Sequence, residues 1–259
     1  MAEKNESLAS AYNRMYSQAH YFRYHSFLYR KCVKSIIRKT GLRRGAHVLD
    51  VGCGQGDFSG LFGHLGFQVV GVDFSAEGIR QAQAKYAADN VRFEVGDGLR
   101  LPYQGKFDAV FVRALSLYNV PGLEGTKDVT DALLGYLKPG GVLIFAYPSN
   151  QCPWRKRSTW IWHSLADTRR CFVGYPNAKV YYTIRALPLP SFLAVLVSKM
   201  TGIGGELVAL ICRASRNAHT GRVPPRAATG FRDRQKARCA GATRRWWGEG
   251  ASSLSGVTR

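Results

Sequence analysis

Apolar positions along the first 150 residues recur with two different periods, which alternate along the chain. Residues 7–40 carry apolar side chains at helical spacing and predict a pair of helices. Short apolar runs then predict five strands, at residues 48–51, 68–73, 91–95, 107–112 and 142–147. Helical patterns separate several of these runs, at residues 58–65, from Ser75 to about 86, and at about 126–137. This alternation indicates an α/β fold with a parallel, doubly wound sheet that binds ligands at the carboxyl ends of its strands.

The pattern loosens beyond Pro148. Residues 151–177 carry three tryptophans and several arginines, and we expect them to form an insertion beside the mouth of the pocket. Residues 179–185 and 206–212 alternate like strands, of the kind that commonly pair antiparallel at the end of such a sheet. A helix is expected between them, at about 191–200.

The aromatic N-terminal segment, residues 1–40, allows two compatible interpretations. In the first, a helix pair packs its aromatic side chains on the core. In the second, the segment is a helical lid whose Tyr and Phe side chains close over a pocket and exclude water. The side chains in question are Tyr12, Tyr16, Tyr21, Phe22, Tyr24, Phe27 and Tyr29.

Basic residues are concentrated towards the C-terminus. The formal net charge is +20, with 9 Lys+Arg against 2 Asp+Glu in residues 151–213 and 10 against 2 in residues 214–259. This distribution fits weak attraction to anionic partners or membrane surfaces better than it fits a basic active site, and nucleic acid is not the favoured partner. The last segment also lacks an apolar rhythm. Ordering it would cost about 1–2 kcal/mol per residue with little burial in return, so residues 214–259 are expected to form a disordered basic tail.

The spacing of the cysteines and the apolar runs indicate in which cellular compartment the protein is expected. The six cysteines form neither a C-x-x-C pair nor a Cys/His cluster with zinc spacing, which favours reduced thiols in a cytoplasmic protein without a metal site. The N-terminus lacks the apolar core of a signal peptide. The apolar stretch Leu187–Cys212 contains two prolines, Lys199 and Glu206, which argues against a membrane span. None of these patterns determines the oligomeric state.

A glycine-rich loop follows the first predicted strand and precedes a helix, an arrangement that brings backbone N–H groups close to a ligand. Its glycines run G-x-G-x-G and position 57 is Asp, so the G-x-G-x-x-G dinucleotide pattern is absent. The G-K-[ST] of a phosphate loop is absent as well. Asp50, at the strand end, would repel a pyrophosphate but suits a ligand that carries a cation.

Four motifs follow one another along the chain: Asp50-Val-Gly-Cys-Gly-Gln-Gly56, then Asp73, Gly96-Asp97-Gly98 and Leu137-Lys-Pro-Gly-Gly141. This ordered set resembles that of class I S-adenosylmethionine-dependent methyltransferases. The resemblance covers about residues 41–213 and is more specific than the glycine loop alone. It implies a Rossmann-like, seven-stranded sheet whose last strand is antiparallel, and S-adenosyl-L-methionine, a sulfonium with an amino-acid tail, as the cofactor.

The resemblance also implies which residues bind that cofactor. They are Asp50, Gly52, Cys53, Gly54, Gly56, Asp73, Phe74, Asp97, Gly98, Arg113 and Ala114. The glycines would let the backbone approach, Asp50 would organise the loop and face the amino-acid end, and Asp73 would accept hydrogen bonds from both ribose hydroxyls. Phe74 would lie against the adenine, and Asp97 would accept from its amino group, with Gly98 giving room. Arg113 and Ala114 would line the methyl-donor side.

Three of these residues also have a structural interpretation that does not involve a ligand. Asp73 could be an acid at a strand end, Asp97 a turn residue within Gly-Asp-Gly, and Arg113 a structural arginine.

Methyl transfer from a sulfonium is an in-line displacement that needs alignment and a dry pocket. It needs a general base only if the acceptor is a hydroxyl or a protonated amine. No pattern marks that base. The candidates, each more readily read as structural, are Tyr118, Tyr147, His163, His20 and His25.

The class of methyl acceptor can be limited by excluding two kinds of nucleic-acid methyltransferase. Arg113-Ala-Leu-Ser stands where enzymes that methylate exocyclic base amines carry Asn/Asp-Pro-Pro-aromatic, and Cys152-Pro153 lacks the surroundings of a 5-methylcytosine nucleophile. We therefore expect O- or N-methylation of a small molecule, a sugar or a lipid-linked intermediate. Two alternatives stay open: an RNA-directed methyltransferase that uses the basic tail, and a catalytically silent module that binds the cofactor or a partner.

Overall fold

The computed structural model describes residues 2–17, 26–154, 160–184, 187 and 189–214, all within one unit, Met1–Ser215. The helices are α1 Ala2–Ser17, α2 Ser26–Thr40, α3 Asp57–His64, α4 Ala76–Tyr86, α5 Lys127–Gly135, α6 Leu165–Phe172 and α7 Ser191–Thr201. The strands are β1 His47–Val51, β2 Gln68–Asp73, β3 Val91–Val95, β4 Phe107–Arg113, β5 Leu137–Ser149, β6 Lys179–Thr183 and β7 Gly205–Cys212. The expectations for His20, His25 and the tail beyond residue 214 lie outside the described residues.

The seven strands form one sheet in the order β3-β2-β1-β4-β5-β7-β6. Strand β7 pairs antiparallel with both neighbours, and the remaining pairs are parallel. This confirms the α/β fold with a doubly wound sheet whose last strand is antiparallel. The chain order reverses between β1 and β4, so the loops after these two strands diverge and leave a crevice, the usual ligand position in open α/β sheets.

Helices cover both faces of the sheet. One layer buries side chains of α2, α3 and α4 against one face, and the other buries side chains of α5, α6 and α7 against the opposite face. Neighbouring residues of a strand point to opposite layers, as Val48 and Leu49 do. Because both faces are covered, the central strands are continuous apolar runs, which is why the sequence pattern identifies them.

Three boundaries differ from the sequence prediction. The helix predicted to about residue 137 ends at Gly135, and β5 already begins at Leu137. The segment 138–141 bulges out of the sheet, since Leu137 pairs with Phe107 and the next pair is Val142 with Ala109. The segment predicted as a loose insertion contains α6. This short helix begins with a capping box: the Ser164 hydroxyl accepts from the backbone N–H of Asp167, and the Asp167 carboxylate accepts from the backbone N–H of Ser164. The apolar pattern of an eight-residue helix is too short to reveal it.

The N-terminal segment forms two helices, as predicted, and α1 already begins at Ala2. Within the part of the chain that the structure describes, none of the helices combines the length and the apolar composition that crossing a bilayer requires. Among the same residues, five cysteines are free thiols and His, Cys, Asp and Glu side chains form no metal-binding cluster.

Candidate functional site

A cavity of about 360 Å³ opens at the carboxyl ends of β1, β2, β4 and β5. Its volume falls in the range of small-molecule sites, about 300–1,000 Å³. Its described lining consists of Tyr12, Tyr16, Tyr29, Gly52, Cys53, Gly54, Gln55, Asp57, Phe58, Asp73, Phe74, Arg113, Ala114, Leu115, Ser116, Pro148, Trp160 and Trp162. A second depression, on the outer surface between α1 and α4, includes no strand end in its lining and is not a candidate for the same role.

Asp73 joins the loops that follow β1 and β2. One carboxylate oxygen accepts a hydrogen bond from the backbone N–H of Gly54 at 2.9 Å, and the other accepts from the backbone N–H of Ser75 at 2.8 Å. Burial raises the pKa of this carboxyl group above its usual value. Each oxygen keeps a second lone pair, so the group remains able to accept from a ligand.

The first two glycines of the loop adopt left-handed conformations beside the cavity. Gly52 has φ +74°, and a Cβ there would lie 2.7 Å from Leu115 Cδ1. Gly54 has φ +52°, and a Cβ there would lie 2.6 Å from the Tyr16 hydroxyl. Both positions therefore require glycine for conformation and for close approach.

Gly56 does not line the cavity. A Cβ at this residue would lie 2.7 Å from the methyl group of Ala82 and 2.9 Å from the Phe93 ring. The glycine permits packing beneath the loop. Its expected part in a close approach of the ligand stays a prediction.

Asp50 lies beneath the glycine loop rather than in the described cavity wall. It is buried, and the Ser59 hydroxyl donates a hydrogen bond to it at 2.6 Å. Burial raises its pKa to about 7. The neighbouring Cys53 does line the cavity, and burial raises the pKa of its thiol, so that this group is a neutral thiol at physiological pH.

Helix α1 docks on the loop after β2. The Asn13 side-chain oxygen accepts hydrogen bonds from the Ser75 hydroxyl at 2.7 Å and from the backbone N–H of Glu77 at 3.2 Å. Tyr12 contacts Phe74 edge-on, with 5.5 Å between ring centroids. These contacts place Tyr12 and Tyr16 of α1 in the cavity wall, and the lid role of the segment stays a prediction.

Asp97 and Gly98 lie outside the described cavity wall. The Asp97 carboxylate accepts from the backbone N–H of Leu99 at 3.0 Å and pairs with Arg100. A Cβ on Gly98 would lie 2.4 Å from Val51 Cγ1, so glycine is required there for packing. The geometry of Asp97 therefore agrees with its interpretation as a turn residue. Its contact with an adenine stays a prediction.

Arg113 lines the cavity and forms an ion pair with Glu206 of β7, whose second carboxylate oxygen is buried without a hydrogen-bond partner among the described residues. The two side chains are only 10% and 12% exposed. The guanidinium also lies over the rings of Tyr29 and Phe58, at 4.8 and 4.9 Å from their centroids. Arg113 therefore connects β4, β7, α2 and α3, which supports its structural interpretation, while Ala114 beside it adopts φ 51° at the cavity wall.

The three described candidates for a general base do not reach the cavity wall. The hydroxyl of Tyr118 bonds Thr130 at 2.9 Å, that of Tyr147 donates to Asn119 at 3.1 Å, and His163 Nε2 bonds the backbone carbonyl of Tyr118 at 2.8 Å. All three side chains are buried, and burial lowers the pKa of His163. Their geometry supports structural roles.

An aromatic wall faces the glycine loop, and sequence reasoning identified it only in part. Trp160 and Trp162 lie in the predicted insertion and do line the cavity. The indole N–H of Trp162 is buried and has no hydrogen-bond partner among the described residues. Leu115, Ser116 and Pro148 were missed, because loop residues after β4 and β5 carry no periodic signal.

Comparison with known proteins identifies the domain. Residues 48–141, from β1 into β5, match a family described as a methyltransferase domain. Residues 48–141 therefore form a methyltransferase domain. The strand order agrees with the seven-stranded sheet that the resemblance to class I S-adenosylmethionine-dependent methyltransferases implies.

Two curated relatives are similar to part of this chain. The malonyl-[acyl-carrier protein] O-methyltransferase of Enterobacter lignolyticus is 30% identical over 141 residues, which are 54% of this chain and 53% of the relative. The demethylmenaquinone methyltransferase of Staphylococcus aureus is 35% identical over 118 residues, 43% of this chain and 46% of the relative. The chain thus spans about half the length of the curated relatives it matches.

Solved structures share the fold of this methyltransferase domain. YjhP from E. coli superposes with a TM-score of 0.55 at 17% identity, covering 78% of this chain and 99% of that one. The phosphoethanolamine N-methyltransferase 2 of Haemonchus contortus, solved in complex with S-adenosyl-L-methionine, superposes with a TM-score of 0.52 at 15% identity, covering 71% and 52%. At these identities the likeness concerns the fold alone.

Proposed function

We propose that this protein is an S-adenosylmethionine-dependent methyltransferase that methylates an O or N atom of a small molecule, a sugar or a lipid-linked intermediate. The observation that carries the proposal is the composition of the cavity, where a clamped glycine loop with a buried carboxylate faces a wall of aromatic side chains. The two curated relatives are named for a carrier-linked acid and a quinone-type acceptor, which supports an acceptor of small-molecule type.

The residues present fit S-adenosylmethionine on the donor side. Asp73 keeps lone pairs for two ribose hydroxyls, and hydrogen bonds to a charged acceptor contribute about 1.5–3 kcal/mol each. Gly52 and Gly54 leave the loop backbone open to close approach, and Phe74 offers a ring face or edge to a purine. When bound, the cofactor supplies an activated methyl group on a sulfonium.

The protein's own contribution to the reaction is alignment and exclusion of water. Tyr29, Phe58, Trp160 and Trp162 form an apolar enclosure on the acceptor side. We assign no general base. An acceptor whose pKa lies near or below physiological pH needs none, whereas a sugar hydroxyl would need one.

The charge of the cavity distinguishes this proposal from an RNA-directed enzyme. Among the described residues that line it, Arg113 alone is basic, and its charge is compensated by Glu206. Binding of nucleic acid to such a wall would lack the cationic contacts that dominate phosphate recognition. An uncharged or apolar acceptor moiety fits this wall better. The free thiols and the sequence features noted above lead us to propose a cytoplasmic location.

The test has two stages. Isothermal titration calorimetry with S-adenosylmethionine and with its demethylated product should show saturable binding; absence of binding to both would contradict the proposal. Incubation with S-adenosylmethionine and a panel of hydroxy, carboxy, amino and quinone acceptors should then give a product heavier by one CH₂ unit in mass spectrometry. Binding without turnover on any acceptor would favour the catalytically silent module, and methylation of RNA alone would favour the RNA-directed enzyme.

A further inference from the structure

Helix α7 packs on the sheet through small residues. Ser191, Ala194 and Ser198 lie on its inner side. The Ser198 hydroxyl accepts a hydrogen bond from the Tyr182 hydroxyl at 3.1 Å, and the Ser191 hydroxyl accepts from the Tyr182 backbone N–H at 3.2 Å. The fully buried residues of this helix, Ala194 and Ser198, are therefore small, and the half-buried Val195 and Val197 pack beside them.

The outer side of α7 carries large apolar side chains. Phe192, Leu196 and Met200 recur at i, i+4 and i+8, and they are 69%, 50% and 69% exposed. Ile203, just beyond the helix, is exposed as well. A surface helix normally points such residues towards the core. We call these four residues the α7 apolar face; an apolar face of this kind marks an interaction surface.

The α7 apolar face lies beside the cavity end of the sheet. The backbone N–H of Gln151 donates to the Ser198 hydroxyl at 3.1 Å, and the Asn150 side chain donates to the Gly202 carbonyl at 3.0 Å. Both donors follow closely on Pro148, which lines the cavity. Trp154, three residues further along, is 73% exposed. Trp154 is thus a second exposed aromatic side chain, beside Phe192, and it belongs to the segment after β5 that bonds the end of α7.

The charge balance around this face is positive. Residues 187–205 contain a single charged side chain, Lys199, which is exposed, and residues 151–213 as a whole carry 9 Lys and Arg against 2 Asp and Glu. The basic helix α2 packs on the opposite face of the sheet and contributes no charge to this side. A net charge of +20 opposes contact between two copies of the chain. Anionic lipid, in contrast, satisfies both the apolar side chains and the surrounding positive charge.

We propose that the α7 apolar face and Trp154 bind the surface of an anionic phospholipid bilayer. The apolar side chains enter the boundary between headgroups and acyl chains, and the basic residues contact the headgroups. This mode of binding presents the cavity end of the sheet to the membrane. Resting on the proposed function, it implies that the acceptor is a lipid-linked molecule taken from that surface.

The experiment is co-sedimentation of the full chain with vesicles of phosphatidylcholine alone and of an equimolar mixture with phosphatidylglycerol. We expect stronger binding to the anionic vesicles. The variant Phe192→Gln/Leu196→Gln/Met200→Gln should lower the partition coefficient on anionic vesicles by roughly tenfold or more, because apolar burial is lost while the charge is unchanged. The single variant Leu196→Gln should lower it by roughly twofold to fivefold.

The matched control is Val173→Gln, which removes an exposed apolar side chain at the end of α6 and should leave vesicle binding unchanged. Unchanged binding of the α7 variants would overturn the proposal and assign the attraction to charge elsewhere in the chain. Absence of wild-type binding, or a wild-type dimer that the triple variant dissociates, would overturn it too. Calorimetry with S-adenosylmethionine on the same variants keeps the two proposals separate, since cofactor binding should persist in all of them.

Discussion

The Asp73 carboxylate accepts the backbone N–H of Gly54 at 2.9 Å, so the end of β2 holds the glycine loop that follows β1. Its second oxygen accepts the N–H of Ser75 and holds the start of α4. One side chain thus shapes two walls of the cavity before any ligand binds. The same side chain is the one expected to receive both ribose hydroxyls, which links the shape of the site to its affinity.

Replacing Asp73 should weaken cofactor binding strongly. Asp73→Ala removes the acceptor of two ribose hydrogen bonds, each of which contributes about 1.5–3 kcal/mol, and it also releases the glycine loop. We therefore expect the affinity to fall about 100-fold or more. Calorimetry with S-adenosylmethionine measures it. The control is Asp108→Ala: this carboxylate also accepts a backbone N–H, that of His47 at 2.9 Å, but at the opposite end of the sheet. Equal affinities of Asp73→Ala and wild type would remove Asp73 from the site.

The conformation of Gly54 gives a second prediction. Gly54→Ala places a methyl group 2.6 Å from the Tyr16 hydroxyl and adds the strain of a positive φ. Gly140→Ala adds the strain alone, because nothing lies within 4 Å of its Cβ position at φ +79°. Gly140→Ala should lose about 1 kcal/mol of unfolding free energy in urea denaturation, and Gly54→Ala at least as much.

Only Gly54→Ala should also displace Tyr16 and lower the affinity for S-adenosylmethionine, by roughly tenfold. The double variant Gly54→Ala/Tyr16→Ala separates the clash from the strain, since it removes the clash alone. Equal effects of Gly54→Ala and Gly140→Ala on affinity would contradict a close approach at the loop.

The elements of the fold were predictable because local patterns encode them. Buried parallel strands are continuous apolar runs, and the turn residues at their ends include the glycines at 52 and 54 and the acid at 73. The position of a motif at a strand end then follows from the parallel order of the strands. Gly56 and Gly98 show the limit of this reasoning, since a glycine required for packing looks the same in a sequence as one required for a ligand.

The acceptor wall was harder to predict because it depends on long-range packing. Arg113 and Glu206 are 93 positions apart, and nothing in either local pattern indicates their pairing. The same holds for Tyr147 and His163, whose positions near strand ends suggested chemistry but whose partners are buried structural groups. Helix α7 was predicted as a helix, yet its apolar pattern could not reveal that the small residues pack inward.

The Arg113–Glu206 pair gives a third prediction, on stability. Glu206→Gln leaves a buried guanidinium without its counter-charge and should lower the unfolding free energy by roughly 3–5 kcal/mol. Arg113→Met/Glu206→Leu removes both charges and should recover much of that loss. Urea denaturation of wild type and the two variants measures both effects. A double variant no more stable than Glu206→Gln would show that removing the unpaired charge recovers nothing and would contradict the coupling of the pair.

Asp50 gives a prediction on pH dependence. Its folded-state pKa of about 7 lies above the ordinary value, so the folded state binds an extra proton between about pH 4 and pH 7. The stabilisation from this proton is fully present below the pKa of Asp50 in the unfolded chain, and it is lost as the pH rises through about 7, the pKa in the folded protein. The unfolding free energy of wild type should therefore fall, relative to that of Asp50→Asn, by up to about 1.4 kcal/mol per pH unit in that window. A difference between the two proteins that stays constant from pH 4 to 8 would contradict a raised pKa.

The same carboxyl group should make cofactor binding depend on pH. A sulfonium with an ammonium group near Asp50 favours the ionised carboxylate, so binding should lower its pKa and release a proton. Affinity for S-adenosylmethionine should then rise between about pH 5 and 7, by up to about tenfold per pH unit, and level off above that range. Asp50→Asn keeps an oxygen for the Ser59 hydroxyl and should bind with a flat profile. Calorimetry in buffers of different ionisation enthalpy measures the released proton, and parallel profiles for the two proteins would place the cationic groups away from Asp50.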